Sequence, residues 1–336
     1  MKIKAPKVRA SKKAATKGSV KPAQKPGGVP RGTRKTPAVA KTVSGAGPRS
    51  IEKLIETRGT VTPELQAVRF AGVSLGGGKT DKTAVAVLEY YPAQKRVFLR
   101  SLREKVSAKG ELSADDTLFS ILTDEEKDLS CIAFDVPLQL PKCMRCEVKC
   151  PGVGNCREPE IKWMREVHKK RSKQKRPNKM FTPYTERAAE IYIANELEEP
   201  FHPSHALGSN AAPLAARAYY LTRRLTTPTL EVYPKLSLWR IGVALDVPKS
   251  HLRFHRHAVD SDEARLFVLR TLVEREIAFI YQQDMRTMVE NNVAFEAFLC
   301  ALTAFLKFRG QTERRPATFP KDELWIEFPR QSIQWF

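Results

Sequence analysis

From residue 67 onward, hydrophobic and polar positions recur with two different periods, and the switch between them outlines a fold. Three runs rich in β-branched and aromatic residues, at 68–75, 82–91 and 95–103, predict strands joined by short turns in an antiparallel meander. The period then lengthens. Residues 114–127 predict a helix, and "CIAF" at 131–134 predicts a buried strand ending at Asp135. Helical spacing returns at about 160–175, 184–197 and 211–226, and again at 235–244, 261–280 and 294–308. Between these lie a short strand at 230–233, stopped by Pro234, and a closing strand at 324–328. Residues 51–65 carry a short helical pattern upstream. A meander followed by alternating strands and helices predicts an α/β domain over 67–330, a mixed sheet with helices on both faces.

One glycine-rich stretch challenges this outline. "GVSLGGGKTDKT", Gly72 to Thr83, carries a GGGKT core like that of a phosphate-binding loop. The spacing fails, because Val73 stands where the first glycine of that motif belongs. The context fails too, since a strand pattern follows where a helix is required. The stretch is also similar to the first phosphate loop of sugar kinases and actin-like ATPases. Those proteins need a second glycine-rich loop, and after Gly208 the chain has only the isolated Gly242 and Gly310. A hairpin turn remains.

Charge adds a second segment. Of a net charge of +21, fourteen come from residues 1–49, which hold no Asp or Glu, leaving +7 for the other 287 residues. Rich in Lys, Ala, Pro, Gly and Ser, residues 1–50 predict a disordered basic tail, either a solubilising extension or an arm that engages phosphate backbones. No apolar run reaches the eighteen or so residues of a membrane span, and no apolar stretch follows the basic N-terminus as in a secretory signal. A cytoplasmic protein with no membrane partner is the expectation, and its six cysteines are then reduced thiols or metal ligands.

Three carboxylates stand out against apolar surroundings. Asp135 ends the run "CIAFDVPLQLP", at the carboxyl edge of a central strand, where open α/β sheets place ligands. Glu231 lies inside "TLEVYP", and Glu296 lies in the apolar helix "FEAFLCALTAFL". Singly, each reads most simply as a cap or a paired structural group. Gathered in one place, they would need cations between them, as in two-metal phosphodiester sites.

The order of "IAFDVPLQLP", "TPYTERAAEIY", "EVYPKLSLWRIG", "FEAFLCALTAFL" and "LWIEFP" after a glycine-rich hairpin resembles the predicted ribonuclease-H-like nucleases of domain of unknown function 429, over roughly residues 70–330. The resemblance implies a ribonuclease-H-like mixed sheet of five main strands. It also implies Asp135 and Glu231 as ligands of Mg2+ or Mn2+, with Glu296 in the place of an acidic residue on the last helix. Its implied function is metal-dependent hydrolysis of nucleic acid. The family pattern has an aspartate on the first strand, whereas this chain has Ser74, a poor ligand for a hard dication. If the hairpin turns about Gly77-Gly78, Asp81 pairs across from Ser74 and supplies the missing charge; the simpler reading makes Asp81 a turn residue. With Ser74 marking a lost site, the alternative is a degenerate relative that binds nucleic acid without cutting it.

"CMRCEVKCPGVGNC" places Cys143, Cys146, Cys150 and Cys156 within fourteen residues, with Pro151, Gly152 and Gly154 between them. Four soft ligands so spaced can wrap one tetrahedral ion. Zinc is the first expectation, and an iron–sulfur cluster the alternative. The segment reads as an insertion, 141–180, that continues into a basic helix. There Lys169, Lys170, Arg171, Lys173, Lys175 and Arg176 suit a nucleic-acid clamp, or else a solvated face. Trp163 and Met164 beside them are expected to pack rather than stack on bases. His251, His255 and His257 have basic neighbours and no acidic one in sequence, which suggests surface or phosphate contact. Cys131 and Cys300 lie in apolar runs and are expected in the core.

Overall fold

A computed structural model describes residues 67–77, 82–126, 129–173, 181–197, 201–208, 210–256 and 260–336. The basic tail, the 51–65 helix and Asp81 lie outside these. The three β-branched runs form strands β1 (Val68–Ser74), β2 (Thr83–Tyr91) and β3 (Arg96–Val106), paired antiparallel as a meander. Helix α1 (Ala114–Glu126) leads to β4 (Leu129–Phe134), which pairs parallel with β1. After helices α2 (Lys142–Arg145), α3 (Pro159–Lys173), α4 (Ala188–Asn195) and α5 (Ala212–Thr222), strand β5 (Thr229–Val232) pairs parallel with β4.

Helices α6 (Pro234–Ala244), α7 (Lys249–Phe254) and α8 (Ser261–Glu274) follow, then β6 (Ala278–Phe279), α9 (Gln282–Glu290), α10 (Asn292–Phe308) and β7 (Ile326–Glu327). The result is an α/β fold around a seven-stranded mixed sheet ordered β6-β3-β2-β1-β4-β5-β7. Five main strands were expected. The closing strand expected at 324–328 is the two-residue β7, parallel to β5, and the addition is the two-residue β6, parallel to β3 at the other edge.

Strand alternation divides the core. Ala71, Val73, Ile132 and Phe134 pack with Leu118 and Leu122 of α1 and Ala218 and Leu221 of α5. Phe70, Cys131, Ala133 and Val232 pack with the other cluster, which includes Phe295, Phe298, Leu302 and Phe305 of α10. Each such side chain, moved fully from water, contributes about 1.5–3 kcal/mol. Helix α10 lies unusually close to the sheet. A Cβ at Gly72 would sit 2.1 Å from the Ala297 carbonyl oxygen and 2.3 Å from the Ala301 nitrogen. Only glycine lets the two backbones approach so closely. The helix start is fixed by Asn291, whose side chain accepts hydrogen bonds from the amides of Val293 and Ala294.

The helix expected over 261–280 is shorter. It stops at Glu274, where Glu276 adopts a left-handed conformation (φ 56°) and the Ile277 amide bonds back to the Leu272 carbonyl. The chain then turns to give β6. Among the described residues no single helix is long and apolar enough to cross a membrane.

Candidate functional site

The glycine contact that seats α10 on β1 also sets the chemistry at the sheet's carboxyl edge. Gly72 and Ser74 lie on the α10 face of β1, and Glu296 precedes Ala297 on the helix that Gly72 touches. Asp135, just past β4, reaches back toward β1. The Ser74 hydroxyl donates to Asp135 Oδ2 at 2.5 Å, and the Leu75 amide donates to Oδ1 at 2.9 Å. Burial, then the charge of Glu296, pushes the Asp135 carboxyl up to about 7, against the lowering effect of those two hydrogen bonds. The same two carboxylates, together with burial, hold the Cys300 thiol well above its ordinary value.

Glu296 is met from the other side by a cation. Arg256 Nε donates to Glu296 Oε1 at 2.5 Å. His255 lies beneath, 1% exposed, with Nδ1 3.2 Å from the Leu252 carbonyl oxygen. A carbonyl only accepts, so Nδ1 carries the proton. Nε2 therefore presents its lone pair, 3.9 Å from Glu296 Oε1 and without a hydrogen-bond partner among the described residues. Burial lowers the His255 imidazole to about 4, with Arg256, Lys235 and Arg265 adding to the effect and the Leu252 contact opposing it. An open cleft of about 570 Å3, lined among others by Arg256, Arg265, Asn292 and Glu296, leads to this corner.

Glu231 is placed differently. It is the register partner of Phe134, and its neighbour Val232 belongs to the α10-side core, so alternation sets Glu231 on the face away from α10. There Arg187, fully buried at the start of α4, grips it with both guanidinium nitrogens. Nη1 donates to Oε2 at 2.7 Å and Nη2 donates to Oε1. The Leu138 amide adds a bond to Oε2 at 3.0 Å. Arg187 Nε also donates to Glu190 at 2.8 Å. Burial opposes the charge of Arg187, but Glu231 and Glu190 more than offset it and raise its pKa. The Glu190 carboxyl is raised to about 7 by burial despite Arg187.

The structure thus joins Asp135, Ser74 and Glu296 and separates Glu231 from them. These groups do not fit a pair of divalent ions. Both Glu231 oxygens are engaged by a buried guanidinium, a hydroxyl stands where a first-strand carboxylate is required, and Arg256 already neutralises Glu296. Among the described residues no three His, Cys, Asp or Glu side chains form a ready set of metal ligands, the four cysteines included. Arg187 and Arg256 escaped the sequence reading. "TER" and "HRH" flag arginines there, and Glu190 lies three residues from Arg187, but nothing local names Glu231 or Glu296 as their partners.

The four cysteines flank α2 and precede α3, none in a disulfide. Burial, then the neighbouring thiols of Cys156, Cys150 and Cys146, raise the Cys143 thiol. On α3, Lys169 and Lys170 are exposed and pair with Glu166 at 2.9 Å and Glu196 at 3.0 Å. Arg171 and Lys173 continue the helix, while Lys175 and Arg176 lie outside the described residues. Trp163 packs on Phe319 with ring centres 5.3 Å apart, and Met164 is buried, as are Cys131 and Cys300.

The histidine expectation needs correction. His255 is in the core, because α7 packs between α6 and α8, and an acidic residue, Glu296, lies 3.9 Å from it. His251 stacks on Phe267 at 4.8 Å, and His257 lies outside the described residues. Comparison with protein-family models, curated proteins and solved structures finds no match to this chain.

Proposed function

We propose that this protein is a nucleic-acid-binding relative of the ribonuclease-H-like nucleases, with a sheet-end site not built for two-ion hydrolysis. The five long strands, ordered β3-β2-β1-β4-β5 with only β2 reversed, support the ribonuclease-H-like reading. The observation that carries the functional reading is Ser74. It ends β1 where the nuclease pattern has an acid, and its hydroxyl is spent on Asp135. Without a carboxylate at that place, and with Glu231 held by Arg187 on the other face, no trio of acids converges at the sheet end among the described residues. Binding is supported by charge. Fourteen cations in the first 49 residues, and the lysines of α3, are suited to phosphate contacts that release counterions.

A second reading, a nuclease working from Asp135 and Glu296, is favoured by the raised Asp135 carboxyl, since two acids competing for one proton also attract a cation. One pair of measurements separates the two. Labelled single- and double-stranded DNA and RNA are titrated with the full chain while salt is varied, and manganese is titrated by calorimetry. Salt-sensitive binding, no manganese-dependent cleavage, and manganese uptake only after Ser74→Asp support the binder. Cleavage by the unmodified chain that Asp135→Asn abolishes overturns it.

A further inference from the structure

The segment from Cys143 to Cys156 has a fixed path with little hydrophobic reason for it, since only its two end cysteines pack against the core. Met144, Val148 and Val153 are 55%, 65% and 40% exposed, and between α2 and α3 the chain has no helix or strand. What holds it is polar and comes from its C-terminal neighbour. Arg165 of α3 donates to the carbonyl oxygens of Val153 at 2.7 Å and Cys156 at 2.8 Å, and also to that of Gly154. Lys142 pairs with Glu158 at 2.8 Å. A short loop that buries so little of its own requires a staple.

The loop also guards a charge problem beneath it. Glu160 and Glu323 are buried, and neither Glu160 oxygen has a hydrogen-bond partner among the described residues. The nearest cations both come from α2, with Lys142 Nζ 3.5 Å from Glu160 and Arg145 Nη2 3.7 Å from Glu323. Helix α2 is a single four-residue turn without a side-chain cap, and cannot hold its place by propensity alone. Cys143 lies within it and Cys146 directly follows it.

We propose that Cys143, Cys146, Cys150 and Cys156 close around one zinc ion, which fastens α2 so that Lys142 and Arg145 stay over the buried Glu160 and Glu323. The spacing C-x2-C-x3-C-x5-C lets four thiolates meet tetrahedrally, and Gly152, at φ 85° with open space where a Cβ would point, allows the loop to fold over. Closure disturbs nothing that is already paired. The thiols are free of disulfides, Cys150 is exposed and Cys146 half-buried, so loop and side-chain rotation suffice. The carboxylate corner differs, because there a metal would have to displace the Arg256 guanidinium from Glu296. Ligand deprotonation accompanies binding, and the metal's binding free energy becomes folding free energy. The site is closed by four protein ligands and is structural.

The test uses the full chain purified without chelator, its metals measured by elemental analysis and its thiols titrated with an alkylating reagent. The expected result is colourless protein with about one zinc per chain. Four thiols should stay protected until a chelator is added, and the zinc should be lost in Cys146→Ser/Cys150→Ser. Removing zinc should lower Tm, and Glu160→Gln should lessen that drop because it removes the charge that Lys142 serves. Zinc-free protein with four freely alkylated thiols after zinc repletion overturns the proposal. So does zinc retained in the double variant, a brown iron-containing protein, or a Tm drop that Glu160→Gln leaves unchanged.

Discussion

Two acidic groupings flank the carboxyl edge of the same sheet and are resolved in opposite ways. On one face, Glu231 and Glu190 share the buried Arg187, which makes bonds to both. On the other, Asp135 and Glu296 face each other across β1 and α10 with a serine hydroxyl and a half-exposed arginine as company. The first arrangement is closed, because a guanidinium fork matches carboxylate geometry and engages both Glu231 oxygens from a buried position. The second has only the half-exposed Arg256, held by Glu296, and burial, then the charge of Glu296, raises the Asp135 carboxyl. Acidic residues in apolar sequence therefore divide into structural and available ones by whether a cation is built in.

The largest effect is expected from breaking the closed side. Arg187→Met leaves Glu231 and Glu190 buried without their cation, a change that costs about 3–5 kcal/mol and should leave the protein unfolded or insoluble. Adding Glu190→Gln and Glu231→Gln should recover most of the loss, measured by urea denaturation. If Arg187→Met alone is harmless, the grouping is not the structural half of the pair.

Gly72→Ala tests what brings the open side together. The new methyl would lie 2.1 and 2.3 Å from backbone atoms of α10, far inside van der Waals contact, so the helix must move off β1, at a cost of about 2–4 kcal/mol. Glu296 would then separate from Asp135. The expected outcome is a lower Tm together with a fall of the Asp135 pKa toward the ordinary carboxylate range, followed by carbon-13 NMR of labelled aspartate. A lower Tm with an unchanged Asp135 would show that Glu296 is not the source of the repulsion.

Sequence and structure agree where one element contains its own cause. Strands β1 to β5 were legible because alternating β-branched residues pack against both faces, and α10 because a long apolar run can only be buried. The short β6 and α9 were not, since two residues show no period and Glu276 turns the chain without a glycine to announce it. Asp135, Glu231 and Glu296 could be picked out as carboxylates in apolar runs. Their division could not. It depends on strand parity near Val232 and on Arg187, which lies 44 residues from Glu231.

His255 sharpens the contrast through pH. Its folded pKa of about 4 lies below the ordinary 6.5, so between those values the unfolded chain binds the extra proton. Stability is therefore lost as pH falls from about 6.5 to about 4, by about 3 kcal/mol for a shift of this size. His255→Gln should flatten that limb in urea titrations at successive pH values. A limb of the same depth in the variant would place the acid sensitivity elsewhere.

Asp135 has the opposite sign, which makes its effect the most specific. Its folded pKa of about 7 lies above the ordinary 3.8, so the folded state binds the extra proton between them. Ionising Asp135 weakens the fold as pH rises through that window, and the two limbs partly cancel in the unmodified protein. Asp135→Asn cannot ionise, and its amide can still accept from the Leu75 nitrogen while donating to the Ser74 oxygen. The variant should match the parent near pH 4, gain on it steadily to pH 7, and keep a constant advantage above that, about 4 kcal/mol for a shift of this size. A pH-independent difference would mean that Asp135 acts through its hydrogen bonds alone. A loss at high pH would mean that its charge has a partner already, and the open side of the comparison would be closed as well.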